Sequence, residues 1–216
     1  MTSTAQSQST GLKQPLTPPT VTVSTCKPDI QLASTAYLDH QAYVQGTFPV
    51  QLGANVVVHP RARLLSFQGP LTIGAGTVIA ERCVVGGPAP EDPKGPVPPP
   101  PEEPVETTVG QNVMLHAAAQ IECGSSLEDG CLVEPRAVVM RGVKMGKHSK
   151  ACAATIVDRS VPDWIVILGG GQVRRLRQGA EGPEEGRLNG LQKEREAMVN
   201  LLKTAAAKAT LGKRRG

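Results

Sequence analysis

The four histidines are the residues of this sequence that could bind a catalytic metal ion. They are His40, His59, His116 and His148. A catalytic zinc ion needs three protein ligands, and histidines are the usual ones. His116 follows Gln111 by five residues, and a glutamine amide is a poor zinc ligand. No histidine has a second histidine at ligand spacing, so we predict only a degenerate site at His116 and Gln111, with no metal and no cofactor.

Thiols and carboxylates are the other groups that could act as nucleophile or base. The five cysteines form no CxxC pair, and they are Cys26, Cys83, Cys123, Cys131 and Cys152. None has an obvious activating neighbour, so we expect thiols that fill small core positions in a reducing compartment. A Pro- and Glu-rich segment, 87–108, has no His, Cys or Tyr. Its acidic residues are typical of a solvated arm, and they are Glu91, Asp92, Glu102, Glu103 and Glu106.

An aliphatic residue recurs every six positions from Val109 to Val157. Four residues after each comes a small or β-branched side chain, from Val113 to Val161. Neither the helical period nor strand alternation alone produces a period of six. The pattern is typical of hexapeptide repeats, in which three hexads close one triangular coil. We therefore predict an all-β fold, a left-handed parallel β-helix, with Cys83 and Cys131 at the compact position of their hexads.

The same phase continues upstream with interruptions. The repeat begins at Leu32 and extends to Val85. Short insertions near Phe48 and near Gln68 interrupt it. Eighteen residues in excess then separate Val85 from Val109, so the Pro-rich segment 87–108 should project as a loop. The total is eighteen hexads, or six coils, within residues 29–170.

The segments outside the repeat differ in composition. Residues 1–28 are rich in Ser, Thr, Gln and Pro, which predicts a disordered leader. After a linker, 171–188, we predict a helix over 189–211 and a basic tail over 212–216. The apolar residues on one face of this helix are Leu191, Met198, Leu202, Ala205 and Ala209.

The positive charge is concentrated at the C-terminal end. From Gln172 onward there are eleven Lys/Arg and five Asp/Glu, whereas the whole chain carries a formal charge of +4. No basic cluster alternates with aromatic residues, which make up 2% of the chain, so no nucleic-acid partner is expected. No apolar run is long enough to cross a bilayer, and the polar first residues do not resemble a signal peptide. We expect a cytoplasmic protein without membrane insertion.

Three stretches of the chain resemble the dynactin subunit 6 family. They are residues 52–85, with VHPRA and TIGAGTVIAE, residues 109–152, and the exit segment 160–178, SVPDWIVILGGGQVRRLRQ. The resemblance implies a non-catalytic structural subunit of the dynactin pointed end, cytoplasmic and cytoskeleton-associated. It also implies a role in dynein-driven transport on microtubules and in the engagement of cargo adaptors. The implied partners are the paralogous β-helical dynactin subunit 5, the pointed-end actin-related protein and other dynactin subunits.

Two enzyme families also use hexapeptide repeats and supply the alternative function. The γ-class carbonic anhydrases have a pair of histidines five residues apart around a VGHxVxLH-like hexad, whereas the corresponding run here, 109–116, has Gln111 in place of the first. Hexapeptide acyltransferases carry a catalytic histidine in or near a projecting loop. The loop 87–108 contains no histidine, so we predict that the chain is not an enzyme.

Arginines are the candidate contacts for a protein partner. Arg174, Arg175 and Arg177 cluster at the exit from the repeat and form the strongest basic patch. Four more are expected on the faces of the prism, and they are Arg61, Arg63, Arg136 and Arg141. For these four, a merely solvated face is an equally good interpretation.

Overall fold

The computed structural model describes residues 27–87, 101–171, 173–175 and 181–213. Within them the chain forms a left-handed parallel β-helix of about six coils with a C-terminal helix, which confirms the predicted fold class. Residues 1–26 of the predicted leader, 88–100 of the predicted loop and 214–216 of the predicted tail lie outside the described residues.

Each coil contributes one strand to each of three sheets. Sheet A contains β1 (Ile30–Leu32), β4 (Val50–Leu52), β7 (Leu71–Ile73), β10 (Thr107–Val109), β13 (Ser126–Leu127) and β16 (Lys144–Met145). Sheet B contains β2 (Tyr37–Leu38), β5 (Val57–Val58), β8 (Val78–Ile79), β11 (Met114–Leu115), β14 (Leu132–Val133), β17 (Lys150–Ala151), β19 (Ile165–Ile167) and β20 (Val173–Arg175). Sheet C contains β3 (Tyr43–Gly46), β6 (Arg63–Ser66), β9 (Val84–Gly87), β12 (Gln120–Glu122), β15 (Val138–Val139) and β18 (Ile156–Val157).

From Leu52 to Val157 the aliphatic residue of each hexad is buried inside the prism, as predicted, whereas Leu32 in the first coil is 48% exposed. In sheet C, Val85, Ile121 and Val139 stack in register and are fully buried. Most compact positions are also buried, including Cys83 and Cys131, whereas Val161 in the last coil is partly buried. Because the interior is filled by thin layers of aliphatic side chains, each coil is stabilised mainly by the coil above and the coil below.

The Pro-rich insertion leaves and re-enters the stack without breaking its register. Ile73 of β7 pairs directly with Val109 of β10, although the insertion separates them in sequence. The loop is shorter than the predicted 87–108, since Gly87 ends β9 and Thr107 begins β10. The Val105 amide donates to the Gln68 carbonyl at 2.9 Å, which holds the end of the insertion against the corner between sheets C and A.

Acidic side chains at the corners tie neighbouring coils together. In each case a carboxylate accepts a hydrogen bond from a backbone amide of another coil. The pairs are Asp129 with Gln111 at 2.7 Å, Glu122 with Arg141 at 2.9 Å, and Glu134 with Ala153 at 2.9 Å. The backbone amides in these turns have no partner in the sheets, and the carboxylates accept their hydrogen bonds. The role of these carboxylates is therefore structural.

The exit segment adds the last two strands of sheet B. β19 pairs in parallel with β17, and β20 returns antiparallel to β19, with Arg174 opposite Val166. The predicted linker 171–188 therefore contains a strand as well as the start of the helix. β20 is then the edge strand at the C-terminal end of sheet B.

The C-terminal helix α1 spans Glu181–Lys213, so the predicted bounds 189–211 were too short at both ends. The helix can begin earlier than predicted because a glycine lowers helix stability by only about 1 kcal/mol relative to alanine. A proline is tolerated in the first turn of a helix, and Pro183 lies there. Leu191, Met198 and Leu202 face the β-helix as predicted. Ala205, predicted on the same face, is exposed, and the side chain of Ala209 lies outside the described residues.

The helix is held by an outward apolar ladder on sheet B. The ladder consists of Tyr37, Val57, Val78, Met114 and Leu132, one from each of five successive coils. Val57, Val78 and Met114 are at most 2% exposed although they point away from the prism interior. The burial of these side chains by Leu191, Met198, Val199 and Leu202 fixes the helix along the prism.

Two adjacent leucines of α1 provide a matched test of this packing. Leu202 contacts the ladder, whereas Leu201 is 70% exposed. We expect Leu202→Glu to weaken docking of the helix by about 2 kcal/mol, because a charge replaces a partly buried aliphatic side chain. Leu201→Glu should leave docking unchanged. Amide hydrogen exchange of residues 185–205 measures both variants, and equal protection in the two would contradict this packing.

Candidate interaction surfaces

The residue directly before each inward aliphatic residue points outward, and each sheet therefore presents one ladder of such residues. On sheet A the ladder is polar and almost uncharged, and it consists of Gln31, Gln51, Thr72, Thr108, Ser126 and Lys144. Its hydroxyls bond along the ladder, since Thr108 Oγ1 donates to Ser126 Oγ at 2.8 Å. We call this surface face A. The outward ladder of sheet B, face B, is covered by α1.

The outward ladder of sheet C, which we call face C, combines apolar side chains with one arginine. It consists of Tyr43, Arg63, Val84, Gln120, Val138 and Ile156. Tyr43 is 54% exposed and Ile156 is 61% exposed, and Met140 at the adjoining corner is 40% exposed. Large apolar groups that are open to solvent on a flat sheet are typical of surfaces that bind other proteins.

The four arginines that were expected on the faces of the prism lie on face C or at the two corners beside it. Arg63 lies in the face itself, Arg61 and Arg136 lie at the corner between sheets B and C, and Arg141 lies at the corner between sheets C and A. Sequence analysis missed Arg82, which occupies the same B/C corner one coil after Arg61. The three B/C arginines, which we call the basic edge, lie beside face C, and Glu81 and Glu134 lie at the same corner.

The arginines of this basic edge are open to solvent. Arg61 Nη1 lies 3.2 Å from Glu81 Oε1, and Arg82 Nε lies 3.6 Å from the same oxygen. More than half of each arginine side chain is exposed, so these ion pairs contribute at most about 1 kcal/mol each. The guanidinium groups are therefore accessible to a partner.

The basic patch at the exit from the repeat is separate from face C. Arg174 and Arg175 belong to β20, the last strand of sheet B, and Arg177 lies outside the described residues. The β20 arginines sit at the C-terminal end of the stack, beside β19. The six predicted contact arginines that the structure describes thus divide into four on or beside face C and two, Arg174 and Arg175, at the end of sheet B.

Gln111 and His116, the predicted degenerate zinc pair, lie on either side of β11. Gln111 is exposed in the turn before the strand, and His116 is half-buried directly after it. His59 occupies the corresponding position two coils earlier, after β5. Among the residues described, no three His, Cys, Asp or Glu side chains are close enough together to bind a metal ion.

His59 lies at the contact between the β-helix and α1. Its Nε2 is 3.1 Å from Met198 Sδ. Burial lowers the pKa of His59, and the charges of Asp39 and Glu81 oppose this effect in part. The imidazole therefore favours its neutral form where the helix docks.

Cys83 and Cys131 are suited to packing, not to nucleophilic chemistry. Cys83 Sγ donates to the His116 carbonyl at 2.9 Å, and Cys131 Sγ donates to the Gly146 carbonyl at 3.1 Å. Burial raises the pKa of Cys83 to about 12 and that of Cys131 to about 12. Because a nucleophilic cysteine must be a thiolate near neutral pH, these two thiols are inert. The predicted packing role of both residues is confirmed.

The comparisons with known proteins find similarity to curated dynactin subunit 6 proteins. The chain is 27% identical over 169 residues to dynactin subunit 6 of Xenopus tropicalis, covering 76% of this chain and 80% of the relative. It is 26% identical over 185 residues to dynactin subunit 6 of Danio rerio, covering 84% and 91%. These similarities confirm the resemblance noted in the sequence, and no family model matches the chain.

A solved structure supports the fold independently. A hexapeptide transferase family protein from Anaplasma phagocytophilum has a TM-score of 0.53 at 18% identity, covering 82% of this chain and 98% of its own. At this identity the likeness concerns the β-helix and not the chemistry. In the part of the chain described, no helix is both long and apolar enough to span a membrane.

The position of His59 predicts that mild acid weakens the packing of α1. The unfolded histidine has a pKa of about 6.5, and the folded value is lower. The stability is therefore complete above pH 6.5 and falls as the pH drops from there toward the folded pKa. Unfolding midpoints of the wild type and of His59→Leu across this range measure the effect. The wild-type midpoint should fall relative to the variant, and parallel curves would contradict the prediction.

Proposed function

We propose that this chain is a non-catalytic structural subunit of dynactin, placed in the pointed-end group that supports dynein-driven transport on microtubules. The similarity to two dynactin subunit 6 proteins, which extends over at least 80% of each relative, carries the proposal. The chain would act in the cytoplasm in association with the cytoskeleton. Its partners would be the β-helical dynactin subunit 5, the pointed-end actin-related protein and other dynactin subunits.

The architecture supports a scaffolding role. Coils in parallel register form a stiff prism, because each strand is fixed by hydrogen bonds to the coils on both sides. A stiff prism presents fixed ladders of side chains over its whole length, and such surfaces suit an assembly in which several subunits must keep a defined geometry. The helix occupies face B and leaves faces A and C as flat surfaces.

The described residues give little support to acyl transfer or to hydration chemistry. The two most buried thiols are held in their protonated form by burial. In the described part of the insertion, Glu106 Oε1 accepts a hydrogen bond from Thr72 Oγ1 at 2.9 Å, and Glu102 and Glu103 are exposed. Exposed carboxylates of this kind are solvated and lack the environment that tunes a general base.

The exit arginines are the first candidate attachment point within dynactin. Arg174 and Arg175 lie on the last strand of sheet B, and Arg177 follows them in sequence. Three cations within four residues of sequence, two of them on this last strand, would attract an acidic subunit surface. We therefore include this patch in the proposed function.

Co-purification tests both the function and the patch. A tagged wild-type chain, expressed in the native host cells, should recover the other dynactin subunits. The triple variant Arg174→Glu, Arg175→Glu, Arg177→Glu should lose them, since three repulsive contacts replace three attractive ones. A matched variant, Lys147→Glu, Lys193→Glu, Lys203→Glu, changes the net charge equally on exposed positions elsewhere and should retain them.

Each outcome has a distinct meaning. Failure of the wild type to recover any dynactin subunit would reject the proposed function. Recovery by the triple arginine variant at the level of the wild type would reject only the role of the exit patch. Loss in both charge variants would show that net charge, and not the patch, determines assembly.

A further inference from the structure

We propose that Met198 is a redox switch of the C-terminal helix. Oxidation of its thioether by hydrogen peroxide releases α1 from face B, and reduction of the resulting sulfoxide lets the helix dock again. The switch belongs to the fold itself, so it does not depend on membership of dynactin. It is supported by the position of Met198 within the helix contact, by its partial exposure and by the apolar ladder beneath it.

Met198 lies within the surface that holds α1 on the prism. Four side chains of the helix pack against the face B ladder, and they are Leu191, Met198, Val199 and Leu202. The Sδ atom of Met198 lies 3.1 Å from Nε2 of His59, which directly follows β5. Near one turn earlier in the helix, Nη1 of Arg195 donates to the Gly76 carbonyl at 3.4 Å. A change in the polarity of Met198 therefore acts directly on the contact that fixes the helix.

Met198 is accessible in part to solvent, and therefore to small oxidants. The residue is half-buried, and the nearby residues Ala197 and Asn200 are exposed. Hydrogen peroxide is little larger than water, so it can reach such a side chain without unfolding of the protein. Because oxidation of a sulfur-containing side chain follows its exposure, Met198 can react while the helix is docked.

The reaction transfers one oxygen atom to the sulfur. A lone pair of Sδ attacks a peroxide oxygen and the O–O bond breaks, so that the sulfur is oxidised by two electrons and the peroxide is reduced to water. The product is a sulfoxide, which is polar where the thioether was apolar. Methionine sulfoxide reductases reverse the step, since two thiols are oxidised to a disulfide and the sulfoxide oxygen leaves as water.

The sulfoxide disfavours the docked position of the helix. Met198 belongs to an apolar cluster with Val57, Val78 and Met114, which are at most 2% exposed. A polar oxygen placed against this cluster loses hydrogen bonds to water, and contact of the sulfur with His59 leaves little room for an added atom. An isolated helix is only marginally stable in water, so we expect the released α1 to unfold in part.

The other methionines provide internal standards. Met140 is 40% exposed at the corner between sheets C and A, away from α1. Met145 is fully buried inside the prism. Met114 is 2% exposed and belongs to the ladder that α1 covers. Release of α1 therefore makes Met114 accessible to peroxide but leaves Met145 protected.

The order in which the methionines are oxidised tests the switch. Peptide mass spectrometry of the purified full chain, treated with hydrogen peroxide, follows each methionine separately. We expect Met140 and Met198 to react first, Met114 to react only after Met198, and Met145 to stay reduced. Oxidation of Met114 before Met198, or of Met145 together with Met114, would overturn the proposal, since the latter indicates that the whole prism has unfolded.

A substitution that prevents oxidation at position 198 should protect Met114. Met198→Leu keeps an apolar side chain of similar volume but cannot be oxidised. In this variant Met114 should react at least about tenfold more slowly than in the wild type, because α1 stays docked over it. Met140→Leu is the matched control and should leave the oxidation of Met114 unchanged. Equal rates of Met114 oxidation in the wild type and in Met198→Leu would overturn the switch.

Amide hydrogen exchange of residues 185–205 measures the docking of α1 after oxidation. This segment should exchange at least about tenfold faster in the oxidised wild type than in the untreated protein, whereas peroxide should not change its exchange in Met198→Leu. Treatment with methionine sulfoxide reductases and a thiol reductant should restore the slow exchange. Unchanged exchange once Met198 is fully converted to the sulfoxide, or no recovery after its reduction, would overturn the proposal.

Met198→Gln tests the polarity of the side chain without any oxidant. Glutamine is unbranched and polar like the sulfoxide, so residues 185–205 of this variant should exchange as fast as those of the oxidised wild type. Met140→Gln makes the same change at a corner distant from face B and should exchange like the untreated wild type. Slow exchange in Met198→Gln would show that a polar side chain is tolerated under the helix, and it would overturn the switch.

Discussion

The fold depends on the stacking of one aliphatic side chain per hexad along the axis of the prism. Val85, Ile121 and Val139 illustrate this column in sheet C, where each residue is covered by the one above and the one below. The register is strict, because a slip of one residue would exchange the inward and outward sides of a strand. Extra residues are therefore accommodated only at corners. The insertion after Gly87 obeys this constraint, since the chain returns to pair Val109 with Ile73.

Because side chains fill the interior of the prism, other molecules can bind only to its outer surface. The residue before each inward aliphatic residue differs from sheet to sheet, and this difference gives the three faces their character. Face A is polar, face B is apolar and holds α1, and face C is apolar with Arg63 in its ladder. Together with the similarity to dynactin subunit 6, this division favours a subunit that acts through contacts with neighbours.

The period of six was sufficient to predict the coils, the inward column, the position of the insertion and the packing role of Cys83 and Cys131. The polar or apolar character of each face could also be predicted from the sequence, because every third outward residue lies on the same face. Val57, Val78 and Met114 form one such apolar series. The start of α1 was not predicted, because Pro183 and Gly186 lie in its first turns and both have low helix propensity. The contact of His59 with Met198 depends on side-chain positions that no spacing encodes.

The central claim is that this β-helix works as a structural subunit and not as an enzyme with sites shared between copies. The most direct test is the mass of the purified chain in solution, alone and mixed with dynactin subunit 5, with metal content measured on the same sample. The account predicts a metal-free monomer that forms a one-to-one complex with its β-helical partner. A homotrimer that holds stoichiometric zinc would contradict it and would direct attention to hydration or transfer chemistry.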